Sequence, residues 1–257
     1  MLQYERFERI MDLLRDNASV RVTDLAPLLG ASESTIRRDI AELDKKGRLR
    51  KVFGGAVAIT QQQPARRVTV KRQGFDEKAK IMTDEKAMVA RRAAELITDG
   101  DLVYIDAGTT TGSMIDHIDC FNATYVTNGT GHAMLMAQKG LKTYLLSGLV
   151  KASTEAIIGY DAVGSLQKYH FSRCFIGTDG IDKDNGFSTS DIEESMVKAE
   201  VIRRSENVYV LADSSKFGMV ASITFAPLPA GTIITDHLPD DSYRSLTEII
   251  ETNSVDQ

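Results

Sequence analysis

The chain has little that could stabilise it from outside its own core. Its 257 residues include two cysteines, Cys120 and Cys174, too few and too unpatterned for a disulfide framework or a zinc site. Each reads as a small buried apolar residue. The four histidines, His117, His132, His170 and His237, show no metal-ligand spacing, so neither a metal nor a cofactor is expected. No apolar run approaches the ~18 residues of a membrane span. The opening stretch, MLQYERFERIMDLLRDN, carries charge throughout and has no apolar h-region, which argues against a signal peptide. These absences point to a cytoplasmic protein with no membrane partner.

What is present is a globular composition, 42% hydrophobic and 26% charged, at a length that allows two domains. The formal net charge of -5, taken alone, argues weakly against nucleic acid. Its distribution argues the other way. Residues 1–80 hold 17 Lys+Arg against 11 Asp+Glu, and the remaining residues hold 14 against 25. A basic front and an acidic back suggest two tasks in one chain.

The front is organised around residues 31–49, ASESTIRRDIAELDKKGRL. Ser32 is a good N-cap, and Glu33 places a negative charge in the first turn. Ile36, Ile40 and Leu43 fall on one apolar stripe. Turning about 100° per residue puts Ser34, Arg38, Ala41 and Lys45 opposite that stripe, with Arg37 on its flank. Short polar groups and cations on a slim helix suit a DNA major groove; the alternative is a solvated basic face. Gly47 is expected to end the helix. Before it, residues 5–17 read as a helix with Phe7, Ile10, Met11 and Leu14 on one side. Residues 19–22 read as extended, and residues 24–29 as a short helix capped by Thr23 and closed by Gly30, with Pro27 near its first turn. This is a helix-turn-helix arrangement. Residues 49–59 then read as a β-hairpin around Gly54-Gly55, its first arm loaded with Arg48, Arg50 and Lys51. It is either a wing that meets the DNA backbone or a plain hairpin closing the small domain.

The run STIRRDIAELDKKGRLRKVFGGAV resembles the N-terminal domain of the DeoR family of bacterial transcriptional regulators, over residues 5 to about 57. The resemblance implies a recognition helix and wing, with DNA contact at Ser34, Thr35, Arg37 and Arg38 and phosphate contact at Lys45, Arg50 and Lys51. The expected organisation is a winged helix-turn-helix domain at 1–59, a linker at 60–83 and a second domain at 84–257.

From residue 84 a helix is expected to about residue 97 (Met88, Val89, Ala93, Leu96), ending at Gly100. Short apolar strands follow at 102–105, 124–126, 142–146, 174–176, 208–212 and 232–234. Helices are expected between them at 112–117, 131–138 and 190–204, and a last one at 241–252. The alternation implies an α/β domain with a mostly parallel sheet, whose ligands bind beyond the carboxyl ends of the strands. Those ends carry DAGTTTG at 106–112, TNG at 127–129, SG at 147–148, GTDGID at 177–182 and DSSKFG at 213–218. Backbone N–H groups and hydroxyls in a Gly-Thr loop make an anion cradle, although the Gly-Lys-Ser/Thr of a Walker loop is missing. Carboxylates suit sugar hydroxyls as acceptors.

DAGTTT, VTNG, GTDGID with GFST, and ADSSKFG also resemble the DeoR-type C-terminal sensor domain, which is similar to ribose-5-phosphate isomerase-type folds and binds phosphorylated sugars. The resemblance implies effector contacts at Asp106, Gly108, Thr109, Thr110, Thr111, Asn128, Asp179, Asp213 and Lys216, with Lys198 a weaker candidate. The stretch 151–154 departs from some members and bears on which sugar fits. The expected protein is a repressor of a carbohydrate-utilisation operon, a homodimer or homotetramer that binds double-stranded operator DNA and is released by a small phosphorylated sugar. The alternative is a sugar-phosphate isomerase using Asp179 or Asp182 as general base. If the groove-facing assignment is right, Arg38→Ala weakens operator binding and relaxes sequence discrimination. Lys51→Ala instead weakens binding to all sequences alike and lowers the salt slope by about one. Titrations of specific and random duplex at several salt concentrations distinguish the two.

Overall fold

A computed structural model describes residues 3–17, 19–46, 48–52, 54–58, 66–67 and 83–252. The chain divides into two compact units, Met1–Pro64 and Ala65–Gln257. The expected linker at 60–83 lies outside the described residues except for 66–67 and 83.

The first unit runs α1 (Gln3–Asn17), β1 (Ser19–Arg21), α2 (Val22–Leu28), α3 (Glu33–Lys45), β2 (Leu49–Val52) and β3 (Gly55–Ala58). The stripe of α3 is buried as expected, with Ile36, Ile40 and Leu43 packed against Phe7, Ile10 and Leu14 of α1 and Leu25 of α2. β2 and β3 form an antiparallel hairpin, and β1 pairs with the outer side of β3. The two glycines of the turn differ in purpose. Gly54 has φ +82°, a conformation that favours glycine, whereas a Cβ on Gly55 would lie 2.1 Å from the Val20 carbonyl. Thr23 does not cap α2: the helix begins at Val22, whose N–H donates to the Gly54 carbonyl at 2.9 Å, so the wing backbone does the capping. Pro27 consequently falls in the last turn of α2, not the first. Gly47, Phe53 and Ile59 lie outside the described residues.

One member of the buried face of α3 is charged. Asp39 is 1% exposed and takes a two-pronged bond from the Arg6 guanidinium of α1, Nε to Oδ2 at 2.7 Å and Nη2 to Oδ1 at 3.1 Å. A planar fork on a carboxylate fixes direction as well as distance, so this pair sets the rotation of α3 against α1.

The second unit contains β4 (Arg66–Arg67), α4 (Thr83–Ala94), β5 (Leu102–Ile105), α5 (Thr109–Met114), β6 (Thr124–Thr127), α6 (Thr130–Gln138), β7 (Lys142–Leu145), β8 (Leu149–Lys151), β9 (Ala156–Ile158), α7 (Tyr160–Leu166), β10 (Phe171–Gly177), β11 (Gly180–Asp182), β12 (Gly186–Thr189), α8 (Ile192–Arg203), β13 (Ser205–Leu211), β14 (Met219–Val220), β15 (Ile223–Ala226), β16 (Thr232–Thr235) and β17 (Ile249–Glu251). Seven strands form a parallel sheet in the order β17-β16-β13-β10-β5-β6-β7. Both faces are covered, which is why its strands read as continuous apolar runs. Tyr104, Cys174, Ile176 and Val210 face a core shared with α7 and α8. Val103, Ile105, Phe175 and Leu211 face the core under α4 and α5. Cys174 is fully buried as expected, and its thiol is pushed up to about 12 by that burial; Cys120 is only half-buried.

The strands after β5 wind outward to β7, and those after β10 wind the other way to β17. The winding therefore reverses between β5 and β10, where an open α/β sheet forms its crevice. A small antiparallel sheet, β11-β12-β15, packs through Ile181, Phe187 and Phe225 onto the first core.

Residues 241–252 are not a helix. They form a 3-10 turn, Asp241–Ser245, and then β17, which pairs along β16. Adjacent β-branched Ile249 and Ile250 favour the strand, which covers an otherwise open sheet edge. Met88, expected on the buried side of α4, is exposed, and α4 itself ends at Ala94 rather than near residue 97. Removing one partner of a buried ion pair is strongly destabilising. Asp39→Ala removes the anchor of the Arg6 guanidinium and should destabilise the first unit, read as an earlier denaturant midpoint for that unit.

Candidate functional site

Two surfaces carry the residues singled out by the sequence. The first is the outer face of α3 with the wing. Ser32 caps the helix by accepting from Thr35 N–H at 3.2 Å, and its hydroxyl lies 2.8 Å from both Ser34 Oγ and Thr35 Oγ1. Arg37 is exposed and bonded to Glu33 one turn back at 2.7 Å, a surface pair worth little and easily exchanged for another anion. Arg38, Lys45 and Lys51 are exposed and form no ion pair among the described residues. The Lys51 backbone N–H donates to Asp44 Oδ1 at 2.9 Å, which ties β2 to the end of α3. The Arg50 side chain lies outside the described residues. Four of the seven expected positions, Ser34, Arg37, Arg38 and Lys45, thus lie on one exposed helix face, with Thr35 half-buried beside them and Lys51 on the adjoining strand.

The second surface is a cavity of about 130 Å³ at the β5–β10 reversal. Asp106, Gly108, Thr109, Thr110, Asn128, Asp179, Asp213 and Lys216 all line it, so eight of the nine expected effector positions are brought together from four different strand ends. Thr111 is the exception. Its fully buried hydroxyl accepts from Gly108 N–H at 2.9 Å and lies 2.5 Å from the Asp106 carbonyl, holding the loop closed from beneath.

Several of the lining groups are already committed. Asp106 Oδ2 accepts from Gly177 N–H at 3.1 Å and from the ammonium of Lys198, which also donates to the Gly177 carbonyl at 3.0 Å. Asn128 Oδ1 accepts from Ala107 N–H at 2.9 Å, and its Nδ2 donates to the Ile157 carbonyl, pinning the loop after β5 to β9. Asp179 Oδ2 accepts from the Ser190 N–H and hydroxyl, both at 3.1 Å. Asp213 accepts from Ser215 N–H at 3.1 Å and from its hydroxyl. Lys216 lines the cavity with no ion pair among the described residues. Gly112 of the Gly-Thr loop and Gly129 of the TNG loop are required by a close neighbour. His132 is buried with Nε2 3.0 Å from the Gly108 carbonyl, and a Cβ on Gly112 or Gly129 would come within 3.0 Å of its ring. Burial lowers the His132 pKa, which favours the neutral ring.

The sequence reading missed Lys86 and Glu194, and placed Thr154 only within a stretch bearing on which sugar fits. Lys86 is buried and lines the cavity from the first turn of α4; its position in register with Val89, Ala93 and Ile97 on the buried stripe was the available signal. Thr154 and Glu194 also line the cavity. They belong to a network in which Lys151 of β8 donates to Asp191 Oδ2 at 2.9 Å and Glu194 Oε1 at 2.7 Å. Asp182, by contrast, is absent from the cavity. It accepts from Asp184 N–H, Asn185 N–H and Asn185 Nδ2, organising the β11–β12 turn. Of the two carboxylates weighed as a general base, only Asp179 lines the cavity, and its Oδ2 accepts from Ser190.

A winged helix-turn-helix unit and a doubly covered parallel sheet with a polar crevice define a DNA-binding regulator with a ligand-sensing domain. Residues 6–62 match the DeoR-like helix-turn-helix domain and residues 81–237 the DeoR C terminal sensor domain. The chain belongs to the DeoR family of transcriptional regulators. It is 37% identical over 97% of its length, and 98% of the relative's, to an HTH-type transcriptional regulator named FruR, described as uncharacterized, from Bacillus subtilis (strain 168). It is 31% identical over its whole length, and 96% of the relative's, to the HTH-type transcriptional repressor GlcR of the same organism. It is 32% identical over 92% of its length, and 93% of the relative's, to a lactose phosphotransferase system repressor of Staphylococcus epidermidis. Among solved structures, ribose 5 phosphate isomerase A from Neisseria gonorrhoeae matches 56% of this chain at 15% identity with a TM-score of 0.39. The chain spans about half the length of that structure, 55%. The curated relatives are regulators, and the isomerase reading of this chain is not supported. No helix among the described residues is long and apolar enough to cross a membrane.

The Lys151 network gives the second unit a pH dependence. Burial by itself would raise the Asp191 pKa, but the hydrogen bond from Lys151, together with backbone N–H groups at the start of α8, holds it below the usual carboxylate range. A depressed folded-state pKa contributes stability above about pH 4 that is lost as pH falls through the folded value. Lys151→Met removes the main lowering interaction and leaves the burial, so its acid unfolding should begin at higher pH than in the wild type, measured by circular dichroism from pH 6 to pH 2.

Proposed function

We propose that the chain represses a carbohydrate-utilisation operon and leaves its operator when a phosphorylated sugar occupies the cavity at the β5–β10 reversal. The observation that carries this reading is the lining itself: Lys86, Lys198 and Lys216 stand with the Gly108–Thr110 backbone and the carboxylates of Asp179 and Asp213 around one small space. Cations and loop N–H groups suit a phosphate, and carboxylates suit sugar hydroxyls. The residues proposed to hold the effector are Asp106, Gly108, Thr109, Thr110, Asn128, Asp179, Asp213 and Lys216, with Thr111 shaping the loop. Those proposed to meet DNA are Ser34, Thr35, Arg37, Arg38, Lys45, Arg50 and Lys51. The names of the relatives, among them a lactose phosphotransferase system repressor, support a sugar-linked effector.

The working form in this reading is a homodimer or homotetramer in the cytoplasm. A single winged unit buries too little DNA for operator affinity, and two-fold related half-sites require two-fold related recognition helices. Release asks only that the effector bind one arrangement better; shifting a population from mostly bound to mostly free takes a few kcal/mol.

Thermal unfolding against a panel of pentose and hexose phosphates and their free sugars tests the effector class. A ligand at ~100 times its dissociation constant should add roughly 2.7 kcal/mol to the unit that binds it. A shift with one phosphate ester and none with its free sugar is the expected result. No shift with any of them removes the sugar-phosphate reading.

A further inference from the structure

Large apolar side chains scattered singly over a surface need no explanation, but in the second unit they gather. Leu149 and Val150 of β8 are 64% and 52% exposed, Tyr160 at the start of α7 is 82% exposed, and Ile192 at the start of α8 is 62% exposed. Three contacts hold these elements side by side. Lys151, next to Val150, donates to Asp191 and Glu194, on either side of Ile192. A Cβ on Gly159, next to Tyr160, would lie 3.7 Å from the Glu193 carboxylate. A Cβ on Gly148, next to Leu149, would lie 3.1 Å from the Ala162 nitrogen of α7. Met196, also exposed, stands one turn along α8 from Ile192.

The patch is held rigidly and left open. Adjacent residues of a strand point to opposite faces, so both faces of β8 are uncovered at Leu149 and Val150, while the Lys151 ammonium fastens the strand to α8. β8 pairs with β9 and β7 with β6, and neither has a second strand neighbour among the described residues. Tyr144 and Leu145 of β7, both exposed, carry the apolar surface along the edge of the large sheet. Edges are usually guarded by charge, proline or a covering element. Here the run 133–150, AMLMAQKGLKTYLLSGLV, has Lys139 and Lys142 as its charges and no acidic residue, in a chain that is 26% charged. Lys139 is spent on the Ile115 and Asp116 carbonyls.

Size and charge say what covers it. Seven such side chains offer roughly 700 Å², more than the ~300–600 Å² of a typical monomer's largest apolar patch and close to the ~800 Å² per partner of a stable complex. Beside them in sequence stand one exposed cation, Lys142, and two acids, Asp161 and Glu193, which suits no polyanion. A second copy brings the same apolar surface and the same open strand edges, and a contact between identical patches closes on itself about a two-fold axis. We infer that the surface formed by β8, the edge of β7 and the starts of α7 and α8 is where the second units of two copies of this chain join. This rests on the oligomeric reading given above and names its surface.

The test uses the full-length protein and its Leu149→Glu and Ile192→Glu variants, which put an anion into the patch from two different elements. Phe121→Glu, at an exposed apolar position in the turn before β6, is the control. Circular dichroism checks folding, and Leu149→Ser or Ile192→Ser replaces a charged variant that fails to fold. Sedimentation at about 10 µM protein reads the mass, since self-association depends on concentration. The expected result is an oligomer for the wild type and for Phe121→Glu, and half that mass or less for both patch variants. A folded patch variant with the wild-type mass overturns the surface and leaves the oligomeric reading standing. Equal dissociation of Phe121→Glu also overturns it, because any added charge would then suffice. A monomeric wild type overturns the oligomeric reading and the surface with it, and that outcome is seen without any variant.

Discussion

The second unit depends on one carboxylate. Asp106 ends β5, and its Oδ2 draws in Gly177 N–H at the end of β10 and the ammonium of Lys198 from α8. Three elements from distant parts of the sequence are joined at the point where the sheet reverses. A buried carboxylate is tolerable only with such company, and the company it needs also sets the width of the crevice above it. The same arrangement leaves Lys198 neutralised by its own protein.

Much of this was legible in the chain because it is written locally. The stripe and cap of α3 lie within a dozen residues, and the strands of the parallel sheet announce themselves by being apolar on both faces. The strand-end loops followed from the strands. What could not be read was set by partners far away in sequence. Nothing local marks Asp39 as buried, because its partner Arg6 lies 33 residues away, and Thr111 looked like a ligand group until the Asp106 carbonyl claimed its hydroxyl. β12, GFST, is fully buried yet half hydroxylic, so no apolar run marked it as a strand. The hairpin of β8 and β9 was hidden for the opposite reason: Leu149 and Val150 are exposed, and no alternation marked them. Lys86 was overlooked because a charged residue on an apolar stripe is normally read as an interruption, whereas here it is the stripe's opening onto the cavity.

The two units use cations in opposite ways. On α3 and the wing, Arg38, Lys45 and Lys51 are exposed and form no ion pair among the described residues, so any attraction they exert is long-ranged and screened by salt. Around the crevice, Lys86 and Lys198 are buried and Lys216 half-buried, where screening is weak and the geometry of each contact matters more than its range. The first arrangement suits a polyanion and the second a small anion. The charge asymmetry along the chain is the outward trace of that difference.

The order of the parallel sheet has a consequence for synthesis. The three-helix unit with its wing is complete in sequence at Ala58, and its pairings are short-range. The sheet of the second unit closes only when β10 has joined β5 across some seventy residues and β17 has joined β16 near the end of the chain. At bacterial-type elongation rates of about 5–20 residues per second, the intervening stretch takes on the order of 10–40 s to emerge. For that interval each nascent polypeptide owns a finished DNA-reading head and an unfinished sensor. By itself such a head covers too little DNA to hold an operator, and it waits, tethered to the ribosome that is making it.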